Sequence, residues 1–221
     1  MALPITYTFI AADAAYVCAL QTLGAAGSMI INGTGWDGYD NPRRIRLTKT
    51  SPGYERTISL TSAGNISGVN FTITGTDIRG AAKTEVIAGP NANTVFTTGF
   101  FYSITSVAAN GAVATNTSIG IGTTGRSQWT KVDCQLTPVS IGLGMTVSNT
   151  DLTWTLVQTT QNVETAEPAA NSIINSSDAN LVAQTTSRQG NYVIPFGAFR
   201  MNVTASTVGT VVFNVYQAGI V

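Results

Sequence analysis

In Gly33-Thr34-Gly35-Trp36-Asp37-Gly38-Tyr39-Asp40, two carboxylates share one loop with two aromatic side chains. Such a set suits a sugar. One carboxyl protonates the leaving oxygen and the other acts as base or nucleophile, provided the two stand roughly 5–9.5 Å apart across a cleft. Gly-rich turns also use Asp for a simpler reason, because its side chain accepts from nearby backbone N–H groups. The spacing of Asp37 and Asp40 does not match the D-x-[DN]-x-[DN]-G pattern of a calcium loop. Histidine is absent, which removes Ser-His-Asp and Cys-His nucleophile systems, His metal sites and the commonest general base. Cys18 and Cys134 cannot by themselves supply the four ligands of a structural zinc site. Neither a G-x-x-x-x-G-K-[ST] phosphate loop nor a dinucleotide fingerprint is present. The expectation is a protein that is not an enzyme, with no catalytic residues, no cofactor and no metal.

Composition points elsewhere. Only 10% of the 221 residues are charged, against about 25% in an ordinary soluble domain. Eleven acidic and eleven basic residues leave a formal net charge of zero. A surface of Thr, Ser, Asn and Gly repels little and tolerates burial, because a hydroxyl costs far less to desolvate than a charge. That favours permanent assembly, and a homo-oligomer is expected through residues 1–26 or through 161–191. Balanced charge argues against a nucleic-acid partner, which requires a basic face. The cluster Arg43, Arg44, Arg46, Lys49 and Arg56 lies beside Asp37, Asp40 and Glu55, and reads as a solvated or ion-paired strand edge. No run approaches the roughly 18 apolar residues of a membrane span, and the apolar N-terminus lacks a basic leader and is interrupted by Asp13. The expectation is a chain made in a cytoplasm, with no membrane partner. The two cysteines are read as free buried thiols, with one long-range bridge left open. Six N-x-[ST] triplets, at Asn32, Asn65, Asn70, Asn116, Asn175 and Asn202, follow from the Thr- and Ser-rich composition and carry no glycan meaning without export.

The elements that position these residues are strands. Val69, Phe71 and Ile73 alternate, and a turn follows at Thr76-Asp77-Ile78-Arg79-Gly80. Further runs fall at Thr84 to Ala88, Phe100 to Val107 and Ser118 to Ile121, and the first of them closes at Gly89-Pro90-Asn91. Alternation of period two with Gly, Asn, Asp and Pro at the run ends predicts an antiparallel sandwich or barrel. Ser28 to Asn32, Ile45 with Leu47, and Ile58 with Leu60 extend this pattern. In the second half Val139, Ile141, Leu143, Met145 and Val147 alternate, and Leu152, Trp154 and Leu156 follow a polar turn, predicting a hairpin. Tyr192 to Phe196, Phe199 to Val203 and Val211 to Val215 complete it. The predicted fold class is all-β: two tandem antiparallel β-sandwich domains at 27–122 and 131–221, joined by a linker at 123–130 of turn composition and preceded by an N-terminal arm at 1–26. Within the arm, residues 6–9 suit a short strand, and Asp13 is placed to cap a helix running to Leu23. The polar stretch 161–191 exceeds an ordinary connection and is expected to be an interaction loop. The candidate partner contacts are Phe9, Tyr16 and Leu20 in the arm, Trp36 and Tyr39 in the Gly-rich loop, Ile173 and Ile174 in the long loop, and Ile220 in the apolar tail. Exposed Trp and Tyr favour interfaces, although Trp36 and Tyr39 also suit capping one end of a sandwich. Trp154, mid-strand in strict alternation, reads as core.

The pieces LTSAG, SGVNFTITGTD, KTEVIAGPNA and FYSITSV resemble a pattern of structural proteins of tailed bacteriophages. PVSIGLGMTVSNTDLTWTLVQTTQNV and GNYVIPFGAFRMNVTASTVGTVVFNVYQAG are similar to the domain that follows it there. The resemblance spans most of residues 27–221 and rests on strand and turn patterns; 161–191 fits it least. It implies a virion component assembled in the host cytoplasm, with the major capsid protein or other virion proteins as partners and no active-site residues to carry over. A capsid decoration or cement protein is the first expectation. The alternatives are a tail, connector or fibre-attachment part, or a carbohydrate-binding module using Trp36, Tyr39 or Trp154.

Overall fold

The computed structural model describes residues 5–35, 45–47, 53–132, 140–149, 151–192, 197–205 and 208–218. These residues are all-β, with two 3-10 turns and no α-helix among them. The first strands are β1 (Ile5–Phe9), β2 (Asp13–Leu23), β3 (Gly27–Ser28), β4 (Ile45–Arg46), β5 (Tyr54–Ser62), β6 (Asn70–Thr76), β7 (Ala82–Ala88) and β8 (Thr94–Phe96). They continue with β9 (Ser103–Ala109), β10 (Val113–Ser127), β11 (Thr130–Lys131), β12 (Ser140–Val147), β13 (Leu152–Thr159), β14 (Ile174–Asn175), β15 (Arg188–Tyr192), β16 (Ala198–Ala205) and β17 (Gly209–Ala218). The chain divides into two compact units, Ala12–Lys49 with Gly53–Gly125, and Met1–Ala11 with Thr50–Pro52 and Arg126–Val221.

In the 12–125 unit one sheet runs β3-β9-β6-β7, with β4 also on β9; β2, β10, β5 and β8 form a second set of paired strands. β6 shows why the pattern works. Phe71 and Ile73 are buried while Thr72 and Thr74 are less so, and full antiparallel register with β7 carries Asn70 opposite Ala88 and Thr76 opposite Ala82. The connecting turn is held by Asp77. Its carboxylate accepts from the backbone N–H groups of Arg79 and Ala81 at 2.9 Å each, and Gly80 supplies the positive φ of 86° that the bend requires. β5 is buried along nearly its whole length, as a strand covered on both faces must be.

Several expectations change here. The predicted helix over 13–23 is the eleven-residue strand β2, paired with β10. Alanine's helix preference is worth only tenths of a kcal/mol per residue, and tertiary pairing overrides it. Asp13 does bond the backbone two residues on, but at the start of a strand: its carboxylate accepts from Ala15 N and from the Thr34 hydroxyl. β2 and β10 approach so closely that a Cβ on Gly120 would lie 1.8 Å from the Asp13 carbonyl oxygen. Residues 1–26 read equally as an element packed on the chain itself or as an arm reaching a neighbour; in their described part β1 pairs with β17 and β2 with β10. Of the strand expected at 28–32 only Ser28 is in a ladder. Residues 123–127, expected as linker, continue β10. Arg56 and Glu55, expected at a solvated or ion-paired strand edge, are buried in β5. The Arg56 guanidinium donates to the Gly122 carbonyl through Nε at 3.0 Å and through Nη2. Arg43, Arg44 and Lys49 lie outside the described residues.

The 126–221 unit, with β1, holds a sheet ordered β1-β17-β12-β15 and a second set of strands β14-β13-β16, with β11 beside β16. The predicted hairpin partners separate: β12 pairs with β17 and β15, and β13 pairs with β16 and β14. Phe199 of β16 meets Phe213 of β17 edge to face, with ring centroids 5.2 Å apart, so the two sets of strands share a core. Trp154 is fully buried, as its alternation predicts, and its indole N–H donates to the Thr186 carbonyl at 3.3 Å.

Candidate functional site

The candidate contacts separate by burial. Phe9 on β1 and Tyr16 on β2 are core residues and offer nothing to a partner. The sequence logic failed at both because an aromatic side chain in a short strand has the same local pattern whether it faces in or out. Leu20 is 65% exposed on β2. Next to it, the Gln21 amide clasps the Ile30 backbone, accepting from its N–H at 2.8 Å and donating to its carbonyl at 2.9 Å, and the Ile30 side chain is also exposed. Ile173 is half-buried and Ile174 is exposed on β14. Trp36, Tyr39, Ile220, Asp37, Asp40 and Cys134 lie outside the described residues.

Ile30, Val86, Phe96, Val208 and Tyr216 are exposed apolar or aromatic residues with no place among the expectations. Val86 on β7 and Phe96 on β8 are 59% and 53% exposed, and Ile174 on β14 is 55% exposed. Each of these three strands ends its sheet order. The signal was present, since all three sit in short Thr-, Ala- or Asn-flanked runs, but edge position depends on which strands pair and no local pattern states it. Edge strands present unpaired N–H and C=O groups, and proteins that stay single protect them with charge, proline or bulges.

The 161–191 segment is not loose. Ser176 N donates to the Leu156 carbonyl at 2.9 Å, and Gln184 and Trp154 exchange backbone hydrogen bonds at 2.8 and 2.9 Å. Glu167 anchors its first part. Its Oε1 accepts from Arg126 at 3.0 Å and from Arg200 at 2.6 Å, its Oε2 accepts from the Trp129 indole N–H at 3.2 Å, and the Arg200 guanidinium lies 4.3 Å from the Trp129 ring centroid. Lys131 pairs with Glu164 nearby. Burial pushes the Tyr192 hydroxyl above its ordinary pKa, against the lowering effect of its hydrogen bond with Ser176.

The outer face of the β17-β12-β15 sheet carries a groove of about 440 Å3 lined by Gly144, Thr146, Gln189, Asn214 and Tyr216 among others. A smaller hollow of about 190 Å3 adjoins it at Gly142 and Tyr216. Registry builds it as two rows across three strands: Asn191, Gly142 and Tyr216 in one, Gln189, Gly144 and Asn214 in the next.

Among the described residues no group of three or more His, Cys, Asp or Glu is placed to hold a metal ion, and no helix is long and apolar enough to cross a membrane. Cys18 is a free, buried thiol whose pKa is pushed up to about 12 by burial. No protein-family description matches the chain, and no characterised protein is recognisably similar to it in sequence.

Proposed function

We propose that the chain is a non-enzymatic structural protein of a tailed-phage virion, made of two β-sandwich domains, and that it decorates or cements the capsid shell. The observation that carries this reading is the set of open outer strands β7, β8 and β14, each presenting one large exposed apolar side chain, Val86, Phe96 and Ile174. An edge of that kind invites pairing with another chain. The sequence as a whole holds few charges, 10% of residues with no net charge, and the two on β7, Lys83 and Glu85, are engaged with the backbone of Phe100, Thr98 and Gly99, so contact with a neighbour costs little desolvation of ions. On a repeating lattice, modest contacts at several such edges multiply through effective concentration. The resemblance of LTSAG, SGVNFTITGTD, KTEVIAGPNA and FYSITSV to phage structural proteins supplies the context.

Quantitative mass spectrometry of purified particles of the phage that encodes the chain tests this. Hundreds of copies per particle are expected. A handful of copies would move the chain to the tail or connector, and absence from the particle would end the reading.

A further inference from the structure

We propose that the outer face of the β17-β12-β15 sheet is a binding groove for a neutral oligosaccharide, with Gly142 and Gly144 as its floor. This inference is independent of the virion reading.

The starting point is two glycines that the fold does not need. β12 reads Ser140-Ile141-Gly142-Leu143-Gly144-Met145-Thr146-Val147. Ile141, Leu143 and Met145 are buried, which points positions 142 and 144 outward. Glycine inside a strand weakens it, because it loses more chain entropy on folding and packs nothing. Elsewhere in this protein glycine is forced by close approach, as at Gly120. At Gly142 a Cβ would meet nothing nearer than Tyr216 Cβ at 3.6 Å, and at Gly144 nothing nearer than Asn214 Cβ at 3.6 Å. Alanine would fit both sites in ordinary van der Waals contact. Neither glycine adopts a positive φ, so backbone conformation does not call for them either. What a methyl at either position would do is fill the trough. Strand glycine without a packing reason marks a place where something outside the strand comes close.

The walls say what that is. Tyr216 is 59% exposed, a phenol ring on the sheet surface beside the glycine floor. The other walls include Gln189 and Asn214, both paired across the sheet with Gly144, and Asn191 stands just beyond the lining, opposite Gly142. Each amide offers donors and an acceptor in one plane, the arrangement that vicinal hydroxyls of a pyranose complement, while the apolar face of the sugar covers the ring. No carboxylate lines the groove, so a cationic ligand has no opposed charge to meet. The one charged lining side chain, Arg188, gives its Nε to the neutral Gln184 side chain at 2.9 Å, and it can also donate to a sugar hydroxyl. An added polypeptide strand has no place to pair, because β12 already exchanges its backbone hydrogen bonds with β15 on one side and β17 on the other. A volume of about 440 Å3 falls within the roughly 300–1,000 Å3 of ligand sites.

The test uses the full chain and a panel of maltohexaose, cellohexaose, mannohexaose and chitohexaose, followed by 15N-1H chemical-shift titration. At least one hexaose is expected to shift the amides of Gly142, Gly144, Asn191 and Asn214, with affinity reduced tenfold or more by Tyr216→Ala and by Gly144→Val. Gly144→Ala separates ligand binding from folding: it is expected to raise the melting temperature while weakening binding, a combination that a purely structural glycine would not give. The proposal is overturned if no hexaose binds up to the solubility limit. It is equally overturned if binding is unchanged in both Tyr216→Ala and Gly144→Val, or if Tyr216→Ala alters only the sedimentation of the chain, which would make the face a contact between copies.

Discussion

Asp77 shows how one side chain sets a turn. Burial pushes its carboxyl pKa up, but hydrogen bonds from the Arg79 side chain and from the backbone of Ala81 and Arg79, with the Arg79 charge, outweigh it and hold the group below the usual carboxylate range. The native state therefore favours the ionised form. Its contribution is present above the unfolded value of about 3.9 and is lost as pH falls through the lower native value. Asp77→Asn is expected to cost about 1.5–3 kcal/mol at pH 7. The difference from wild type should narrow as urea denaturation is repeated below about pH 4; a constant difference at all pH values would show that the charge is irrelevant. Cys18 works in the opposite sense. Its thiol is buried and its pKa stands at about 12, so folding holds it protonated. That contribution is complete below the ordinary thiol value of about 8.5 and erodes as pH rises toward the native one. Iodoacetamide at pH 8 should leave Cys18 unmodified in the folded chain and label it after unfolding, read by mass spectrometry of the Cys18 peptide.

At the scale of elements, the long segment after β13 is the part that departs most from its sequence character. Its composition is that of a loop, yet β14 and Gln184 extend the β13 ladder, and Glu167 ties its start to Arg126, Arg200 and Trp129. The Arg200 and Arg126 side chains are only 5% and 11% exposed, so removing their shared carboxylate leaves two poorly solvated cations. A fully buried pair broken this way costs several kcal/mol; with Glu167 about a third exposed, Glu167→Gln is expected to cost roughly 2 kcal/mol. Amide exchange should accelerate first across 161–172, while the β12-β17 ladder keeps its protection. Uniform acceleration would mean that the clamp holds the whole unit and not the segment. The turn at Asp77 was legible beforehand because its chemistry is local. The clamp was not, because Arg126, Trp129 and Arg200 lie 41, 38 and 33 residues from Glu167.

At the scale of the whole molecule, the proposed assembly runs through the outer strands β7, β8 and β14. Phe96→Lys and Ile174→Lys alter exposed side chains, so stability should stay within about 0.5 kcal/mol of wild type. Both place a charge on an outer strand, which is how single proteins discourage pairing. The double variant is expected to sediment as a smaller species than wild type and to be depleted from particles. Unchanged sedimentation together with unchanged incorporation would remove these edges from the assembly argument.

By itself the sequence determined that the chain is all-β and where most turns fall, because alternation along a strand and the chemistry of Asp, Asn, Gly and Pro act over a few residues. It also determined that Trp154 is core and that ions are scarce. Only the tertiary structure decided that Asp13 to Leu23 is a strand, since the partner that claims it, β10, lies about a hundred residues away. The same holds for Arg56, which is charged in composition and buried in fact, and for Gly142 and Gly144. A glycine looks alike in any sequence; whether it is crowded or open depends on side chains brought beside it by other strands.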